Sequence, residues 1–183
     1  EDNTEIPLNG KYEIDQDAVG IADKLFFDKY LKRVYIHERF KYMGKETFGK
    51  CDQLMEFFVD DANPYFTVKD GHLYDKDLSV LIYYCNGQDN TTFQIPSSVK
   101  RVNNYAFYDN RKLTEIALPD GLKEIGLHAF TGCTSLTEMI IPNGVTTMEE
   151  NEFSGCTKLT KVTLPESLTA IYDRMFSSCW RLK

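Results

Sequence analysis

Apolar side chains recur along this chain at one fixed spacing, and that spacing is the main signal in the sequence. From about residue 96 onward, proline, phenylalanine and leucine each return every 23 residues. The three columns are Pro96, Pro119, Pro142 and Pro165; Phe107, Phe130, Phe153 and Phe176; and Leu113, Leu136, Leu159 and Leu182. Self-similarity at a fixed period of this order indicates a repeat architecture, in which each unit buries its apolar face only against its neighbours.

One unit of the repeat reads Leu-x-x-Ile-x-Leu-Pro-x-x-Leu-x-x-Ile-x-x-x-Ala-Phe-x-x-Cys-x-x, and its clearest copy is the segment 113–135. The part Leu-x-x-Ile-x-Leu is typical of a short strand whose apolar side chains point into the coil. Stacked coils would pair these strands in a parallel sheet on one face, with proline where the pairing ends. We predict that Ala-Phe lies in a short helical turn on the other face. The predicted fold class is therefore an α/β-type repeat solenoid.

The repeat frame extends backwards and predicts how the chain is divided. Residues 37–59 fit the unit as one repeat, with His37 in the proline column. Residues 1–36 are predicted to form a tail and a degenerate capping repeat, because apolar residues within 17–34 follow a helical spacing and a cap would cover the open end of the core. Residues 96–183 are predicted to hold the remaining repeats, the last of them incomplete.

The repeat frame is interrupted over residues 60–95. Lys69-Asp70-Gly71 lies between two runs of alternating β-forming residues, and Asp-Gly in that setting is a strong hairpin signal. The stretch 79–84 resembles a further strand, which Cys85-Asn86-Gly87 ends. The segment therefore predicts an antiparallel β-meander inserted into the solenoid.

Two columns of the unit are expected to have structural roles. They are the phenylalanine column, Phe48, Phe107, Phe130, Phe153 and Phe176, and the cysteine column, Cys51, Cys133, Cys156 and Cys179, with Asn110 in the same position. One interpretation of the second column is a ladder of small buried residues near a tight bend, in which Asn110 is a polar substitute. The alternative is a disulfide between adjacent coils, whose Cα atoms would lie about 5 Å apart.

The motifs of this chain resemble a known family. The segment 113–135, and the hairpin-bearing stretch from Asn63-Pro64 to Ile95-Pro96, are similar to the BspA-like leucine-rich repeats of bacterial cell-surface proteins. The resemblance covers roughly residues 34–182 and includes both the spacing and the Ala-Phe-x-x-Cys signature. It implies leucine-rich repeats of 23 residues, secretion or display at the cell surface, and a role in adhesion and in binding host proteins.

The outward positions of the predicted strands form columns on one sheet face, where a partner would bind. The candidate partner-binding residues are Tyr35, Met55, Glu56, Phe58, Glu115, Glu138 and Ile140. One interpretation is that this face is merely the solvated polar surface that any solenoid has. The functional interpretation is that the face is a contact surface, because solenoids commonly bind partners in this way and exposed aromatic side chains are enriched at interfaces. The tyrosines of the meander, at 65, 74, 83 and 84, are the rival candidates, although core packing suits them better.

Charge and motifs exclude several functional classes. The net charge of −7 argues against a nucleic-acid partner, which would require basic stripes. No apolar stretch approaches the roughly 18 residues of a transmembrane helix. The chain has no G-x-S-x-G, H-E-x-x-H, P-loop, G-x-G-x-x-G or Cys-x-x-Cys motif, and its three histidines are scattered. We therefore expect no enzymatic activity, no cofactor and no metal site.

Two functional hypotheses remain open. The first is a secreted or cell-surface binding module for an extracellular or host protein, with a glycan as a further option. The second is a structural spacer or self-assembly segment of a larger repeat array. It rests on the stretch after Cys179, where no polar capping repeat follows, because an open apolar edge would permit end-to-end association.

Overall fold

The computed structural model describes residues 7–148, 150–168 and 170–183. Within them the chain forms fourteen short strands and no helix. The strands are β1 (Lys11–Glu13), β2 (Gly20–Ile21), β3 (Arg33–Ile36), β4 (Tyr42–Met43), β5 (Glu56–Val59), β6 (Phe66–Lys69), β7 (His72–Asp75), β8 (Val80–Tyr83), β9 (Thr92–Gln94), β10 (Arg101–Val102), β11 (Glu115–Ala117), β12 (Glu124–Ile125), β13 (Glu138–Ile140) and β14 (Lys161–Thr163). They belong to stacked coils, so the chain is a β-solenoid.

The first sheet face is formed by β1, β3, β5, β9, β11, β13 and β14, one strand from each coil. Its strands pair in parallel within three ladders, β1–β3–β5, β9–β11 and β13–β14. The side chains of Val34, Phe57, Ile116 and Met139 point inward and are buried. Because alternate residues of a strand face opposite sides, their neighbours form the outward columns.

The second sheet face is formed by β2, β4, β8, β10 and β12. β2 pairs with β4, β8 pairs with β10, and β10 pairs with β12, all in parallel. An isolated bridge from Glu124 to Thr147 continues this face into the next coil. The Leu-x-x-Ile half of the repeat therefore makes a second short strand, with Val102 and Ile125 buried.

The predicted helical turns are wrong, and with them the α/β class. In each turn a residue with a left-handed backbone interrupts any helix, as at Tyr105 (φ 60°) and His128 (φ 57°). Backbone amides instead bond partly within the turn and partly to the next coil, as where Phe107 N donates to Ala129 O at 2.9 Å. A helix would use those amides internally, so stacking and helix formation exclude each other here.

The helical spacing of apolar residues within 17–34 does not correspond to a helix either. This stretch contains β2, a turn and the start of β3, and it includes no helix. Its buried residues, Ile21, Phe26, Leu31 and Val34, point into the coil from two strands and the turn between them. Their helical spacing is a coincidence of the coil geometry.

The long repeat between β5 and β9 contains the antiparallel strands that the sequence predicts. β6 pairs with β7 and β7 with β8 in antiparallel fashion, and the turn between β6 and β7 places Asp70 (φ 54°) and Gly71 (φ 84°) in the left-handed region. β8 then pairs in parallel with β10, which continues the solenoid. The five-stranded sheet has the order β12–β10–β8–β7–β6.

Aromatic rings stack along the inside of the coils. Tyr84 takes the phenylalanine position of the long repeat, and the rings of Tyr84, Phe107, Phe130, Phe153 and Phe176 follow one another at centroid distances of 5.0, 5.3, 5.5 and 5.7 Å. Phe26 and Phe48 stack at 5.7 Å in the first coils. Tyr83 of the long repeat contacts Phe48 edge-on at 5.5 Å. The face-to-face stacking of the first coils therefore ends at the long repeat.

All five cysteines are free thiols, so no disulfide joins the coils. The thiols of Cys51, Cys133, Cys156 and Cys179 each donate to a phenylalanine carbonyl of the preceding coil, at 3.0, 3.4, 3.2 and 3.0 Å. Asn110 occupies the same column and donates to Asn86 Oδ1 at 2.8 Å, while its own Oδ1 accepts the amides of Lys112 and Leu113. Burial raises the pKa of Cys51 to about 12, which keeps this thiol protonated.

Candidate interaction face

Two aromatic rings stack on the outside of the first sheet face. The register of β3 and β5 sets Tyr35 opposite Phe58. Their ring centroids lie 4.6 Å apart with an interplanar angle of 6°. Phe58 is 40% exposed and Tyr35 is half-buried. Lys11 Nζ lies 4.5 Å from the centroid of the Tyr35 ring, which makes a cation–π contact.

An ion pair flanks these rings on the neighbouring column. Arg33 Nε donates to Glu56 Oε1 at 2.6 Å, and both side chains are partly exposed. The hydrogen bond and charge of Glu56 raise the pKa of Arg33. Solvent screens such a pair, so it adds little to stability. It holds the carboxylate of Glu56 in a fixed position beside the aromatic rings.

Met55 completes an exposed group that we call the aromatic patch, made of Tyr35, Met55 and Phe58. Met55 is 45% exposed and directly precedes β5. A shallow depression of about 400 Å³ lies beside the two rings and is lined in part by Glu13, Tyr35 and Phe58. The patch thus combines rigid apolar surface with charged groups at its edge, as at the contact surfaces of proteins.

The other predicted contact residues lie further along the same face. Glu115 and Glu138 are in neighbouring coils on β11 and β13, and Ile140 is 68% exposed. A groove of about 540 Å³ runs between these strands and is lined by all three residues. Neither glutamate forms an ion pair within residues 7–148, 150–168 and 170–183. We call this group the acidic groove.

The structure does not bring the seven predicted residues into one site. The tip of the β6–β7 hairpin packs beside β5, where Phe57 N donates to Gly71 O at 2.9 Å. Gln88 Nε2 bonds both Met55 O (2.8 Å) and Asp70 O (3.0 Å), which fixes the tip in that place. The aromatic patch and the acidic groove are therefore separate surfaces on either side of the long repeat.

Threonine hydroxyls on the first sheet face are mostly occupied by the fold itself. Thr114, Thr137 and Thr160 each donate to the carbonyl of the threonine one coil before, at 3.0, 3.1 and 2.9 Å. This ladder satisfies the hydroxyls within the protein. It leaves the carboxylates and apolar side chains as the groups that can recognise a partner.

Three of the four meander tyrosines pack in the core, in agreement with the role that suits them better. Tyr74, Tyr83 and Tyr84 are buried, and Tyr83 donates to Phe48 O at 2.7 Å. Tyr65 is 42% exposed and remains a candidate contact residue.

The histidines form no catalytic arrangement in the described part of the chain. His37 Nε2 lies 2.9 Å from Ala18 O, and His128 Nδ1 lies 3.0 Å from Thr131 Oγ1. His72 is buried against Tyr84 at 4.2 Å between ring centroids. Among the described residues, no group of three or more His, Cys, Asp or Glu side chains could hold a metal ion.

Two further surfaces lie outside the predicted contact residues, and the sequence indicated only the first of them, as an open apolar edge after Cys179. Ile171, Tyr172 and Trp180 are strongly exposed on the last coil. A small recess also opens between 44–48 and 101–105, beside Ile82 and Tyr83. The long repeat lacks the turn residues that precede phenylalanine in the other units, and their absence is the sequence signal that could have indicated the recess. No helix of the described ranges is long and apolar enough to cross a membrane.

Several solved structures resemble this fold. A leucine-rich repeat protein from Eubacterium ventriosum is 20% identical with a TM-score of 0.67, covering 92% of this chain and 62% of that one. The pneumococcal vaccine antigen PcpA is 23% identical with a TM-score of 0.68, and the match covers 81% of this chain and 46% of PcpA. A leucine rich cell surface protein from Faecalibacterium prausnitzii is 22% identical with a TM-score of 0.65, and the match covers 94% of this chain and 58% of that one. At these identities the likeness shows the fold alone, and the chain spans less than two thirds of each relative.

The family is shown by the repeat sequence itself. No curated protein matches the chain significantly. A family model described as the BspA type leucine rich repeat region matches six copies, over residues 10–71 and 80–183. The match covers most of the chain and both runs of coils. The chain therefore belongs to the BspA-type leucine-rich-repeat family.

Proposed function

We propose that this chain is a secreted or cell-surface binding module that attaches to an extracellular or host protein through the aromatic patch. The observation that supports the proposal most strongly is the stack of Tyr35 on Phe58, which holds two aromatic rings on the outer side of a sheet. Rigid aromatic side chains lose little conformational entropy when they bind, and they dominate the energetics of many interfaces. The membership of the family supports the location, since one similar solved protein is described as a cell surface protein.

The binding role is non-catalytic and requires no cofactor. The patch consists of two aromatic rings and a thioether with the Arg33–Glu56 ion pair beside it, and none of these side chains is a nucleophile beside a base. The charged rim, with Lys11, Arg33 and Glu56, would provide specificity and orientation more than affinity.

The proposal is tested by a binding screen with a matched variant. The protein is screened against extracellular-matrix proteins, mucins and intact host cells, beside Tyr35→Ala/Phe58→Ala. We expect a bound partner whose affinity falls at least about 100-fold in the variant, because two clustered aromatic anchors are lost. Tyr42→Ala is the control, since it removes an exposed aromatic ring from the second sheet face. Equal binding by all three proteins would reject the aromatic patch as the contact surface.

The alternative function is a spacer or self-assembly segment of a repeat array. The exposed group Ile171, Tyr172 and Trp180 on the last coil favours it, because apolar surface of this kind promotes association. Sedimentation over a range of protein concentrations tests the alternative. Self-association that is lost in Trp180→Ser would support the self-assembly role, and a monomer at high concentration would exclude that role.

A further inference from the structure

The recess between 44–48 and 101–105 has a definite structural cause. In the regular coils a six-residue turn follows the second strand, as at residues 45–50, 104–109 and 127–132. The long repeat has no such turn, because β8 continues directly into Tyr84 and Cys85. The stack therefore lacks one turn at this level, and the turns of the two flanking coils line the resulting gap on either side. The recess measures about 230 Å³.

Of the three charged side chains that line the recess, Glu46 and Arg101 are paired within the protein, and Lys45 is exposed and forms no ion pair within the described residues. The side chain of Glu46 is only 8% exposed, and its Oε2 lies 2.9 Å from Lys24 Nζ. On the opposite wall, Arg101 Nε lies 3.3 Å from Glu124 Oε1. A cation that approached Glu46, or an anion that approached Arg101, would have to compete with one of these pairs. An uncharged ligand would not.

Hydrogen-bonding groups nevertheless remain free to meet a ligand. The side-chain amide of Asn103 is half-buried and makes no hydrogen bond within the described ranges. The Nε atom of Arg101 is buried, and its contact with Glu124 lacks hydrogen-bond geometry. Buried polar groups are normally satisfied, so the unsatisfied Nε atom of Arg101 indicates where a ligand would bond.

The aromatic wall of the recess is held in place from behind. The ring of Tyr105 stacks on His128 at 5.2 Å between ring centroids. Tyr108 packs edge-on against the ring of Tyr105 at 5.6 Å. Tyr105 has a left-handed backbone, with φ of 60°, and its contacts with His128 and Tyr108 orient its ring. A rigid ring beside amide and guanidinium donors suits the two sides of a sugar, whose C–H face packs on aromatic carbon while its hydroxyls form hydrogen bonds.

We propose that this recess binds a single sugar ring of an uncharged glycan. Its volume is below that of pockets for drug-sized ligands, about 300–1,000 Å³, and so admits one ring. The site lies on the turn side of the solenoid and shares no residue with the aromatic patch. It would add glycan recognition to a module that also contacts protein, and its failure would leave the proposed function untouched.

An NMR titration tests the proposal on the full chain. Methyl glycosides of glucose, galactose, mannose and N-acetylglucosamine are the probes, each added to about 50 mM, and inorganic phosphate is the charged comparison. We expect one glycoside to shift the amides of Gly44, Lys45, Asn103 and Tyr105, with a Kd of about 1–10 mM. Asn103→Ala and Tyr105→Ala should each weaken this binding at least about 10-fold.

Two controls keep the result interpretable. Tyr65→Ala removes an exposed ring of the long repeat that does not line the recess, and it should bind the glycoside like the native protein. Tyr35→Ala/Phe58→Ala should also bind normally, which separates this site from the aromatic patch. The proposal is overturned if no glycoside shifts these amides, if Asn103→Ala binds with unchanged affinity, or if phosphate binds the recess more tightly.

Discussion

The coils before and after the long repeat are built from the same unit but differ in regularity. After it, identical ring stacks, thiol–carbonyl bonds and threonine bonds recur from coil to coil, and the apolar residues form one continuous core from Tyr74 to Met175. Before it, a second core extends from Ile14 to Cys85. There, His37 replaces proline and bonds Ala18 O, and at the start of the long repeat Asn63 takes the position that Leu122 and Val145 hold in the later coils.

The comparison indicates that the later run has the regularly repeated contacts, whereas the aromatic patch lies in the earlier run. In the later run, each repeated contact supports the next one, as expected for a solenoid whose stability is a sum of nearest-neighbour contacts. In the earlier run, outward aromatic rings interrupt the polar columns and form the aromatic patch. The long repeat contributes residues to both cores and leaves the recess beside it.

The largest expected effect comes from breaking the ring stack in the later run. Phe130 is fully buried between Phe107 and Phe153, so Phe130→Ala should lower the free energy of unfolding by about 3–5 kcal/mol. Because the two cores are separate, hydrogen exchange should speed up in residues 92–183 and stay slow in 33–59. Hydrogen–deuterium exchange by mass spectrometry measures both regions, and an equal loss of protection in the two would show that they form one cooperative unit.

A second prediction concerns acid stability at the junction of the two cores. The ring of His72 is buried, its Nδ1 accepts the amide of Cys85 at 3.1 Å, and burial lowers its pKa to about 4, against a small opposing effect of Asp70. As the pH falls from 6.5 to 4, the unfolded chain binds a proton that the folded chain excludes. The folded state should therefore lose about 3 kcal/mol over this range and recover it as the pH rises.

The His72 effect is isolated by comparison with His72→Asn, which keeps an acceptor near Cys85 but does not titrate. Urea unfolding at a series of pH values should show a steeper loss of stability in the native protein than in the variant between pH 6.5 and 4. Parallel profiles would mean that carboxylates alone determine the acid response.

The smallest expected effect tests the irregular position at Asn63 directly. Its side-chain amide donates to His37 O and Phe40 O, and its Oδ1 accepts the amides of Tyr65 and Phe66. Asn63→Leu introduces the residue type that Leu122 supplies in the later run, but it leaves buried backbone groups unpaired. We expect a loss of about 1–3 kcal/mol in urea unfolding, and a gain would mean that the two runs are interchangeable at this position.

The sequence alone determined the solenoid, its period and its inward columns, because the same residue type at a fixed spacing must meet its copy in the next coil. The hairpin at Asp70-Gly71 could also be predicted, since its signal is local. Only the tertiary structure decided the turn geometry, because amides such as that of Phe107 bond the neighbouring coil instead of a helix.

The candidate sites show the same division. That Tyr35 and Phe58 face outward followed from strand alternation, whereas their separation from Glu115, Glu138 and Ile140 depends on where the hairpin tip packs. The recess beside Tyr105 depends on a turn that one coil lacks. A residue column that repeats in the sequence predicts contacts between coils of the same kind. The candidate sites lie where neighbouring coils differ, and their shape depends on how the side chains of those unlike coils pack together.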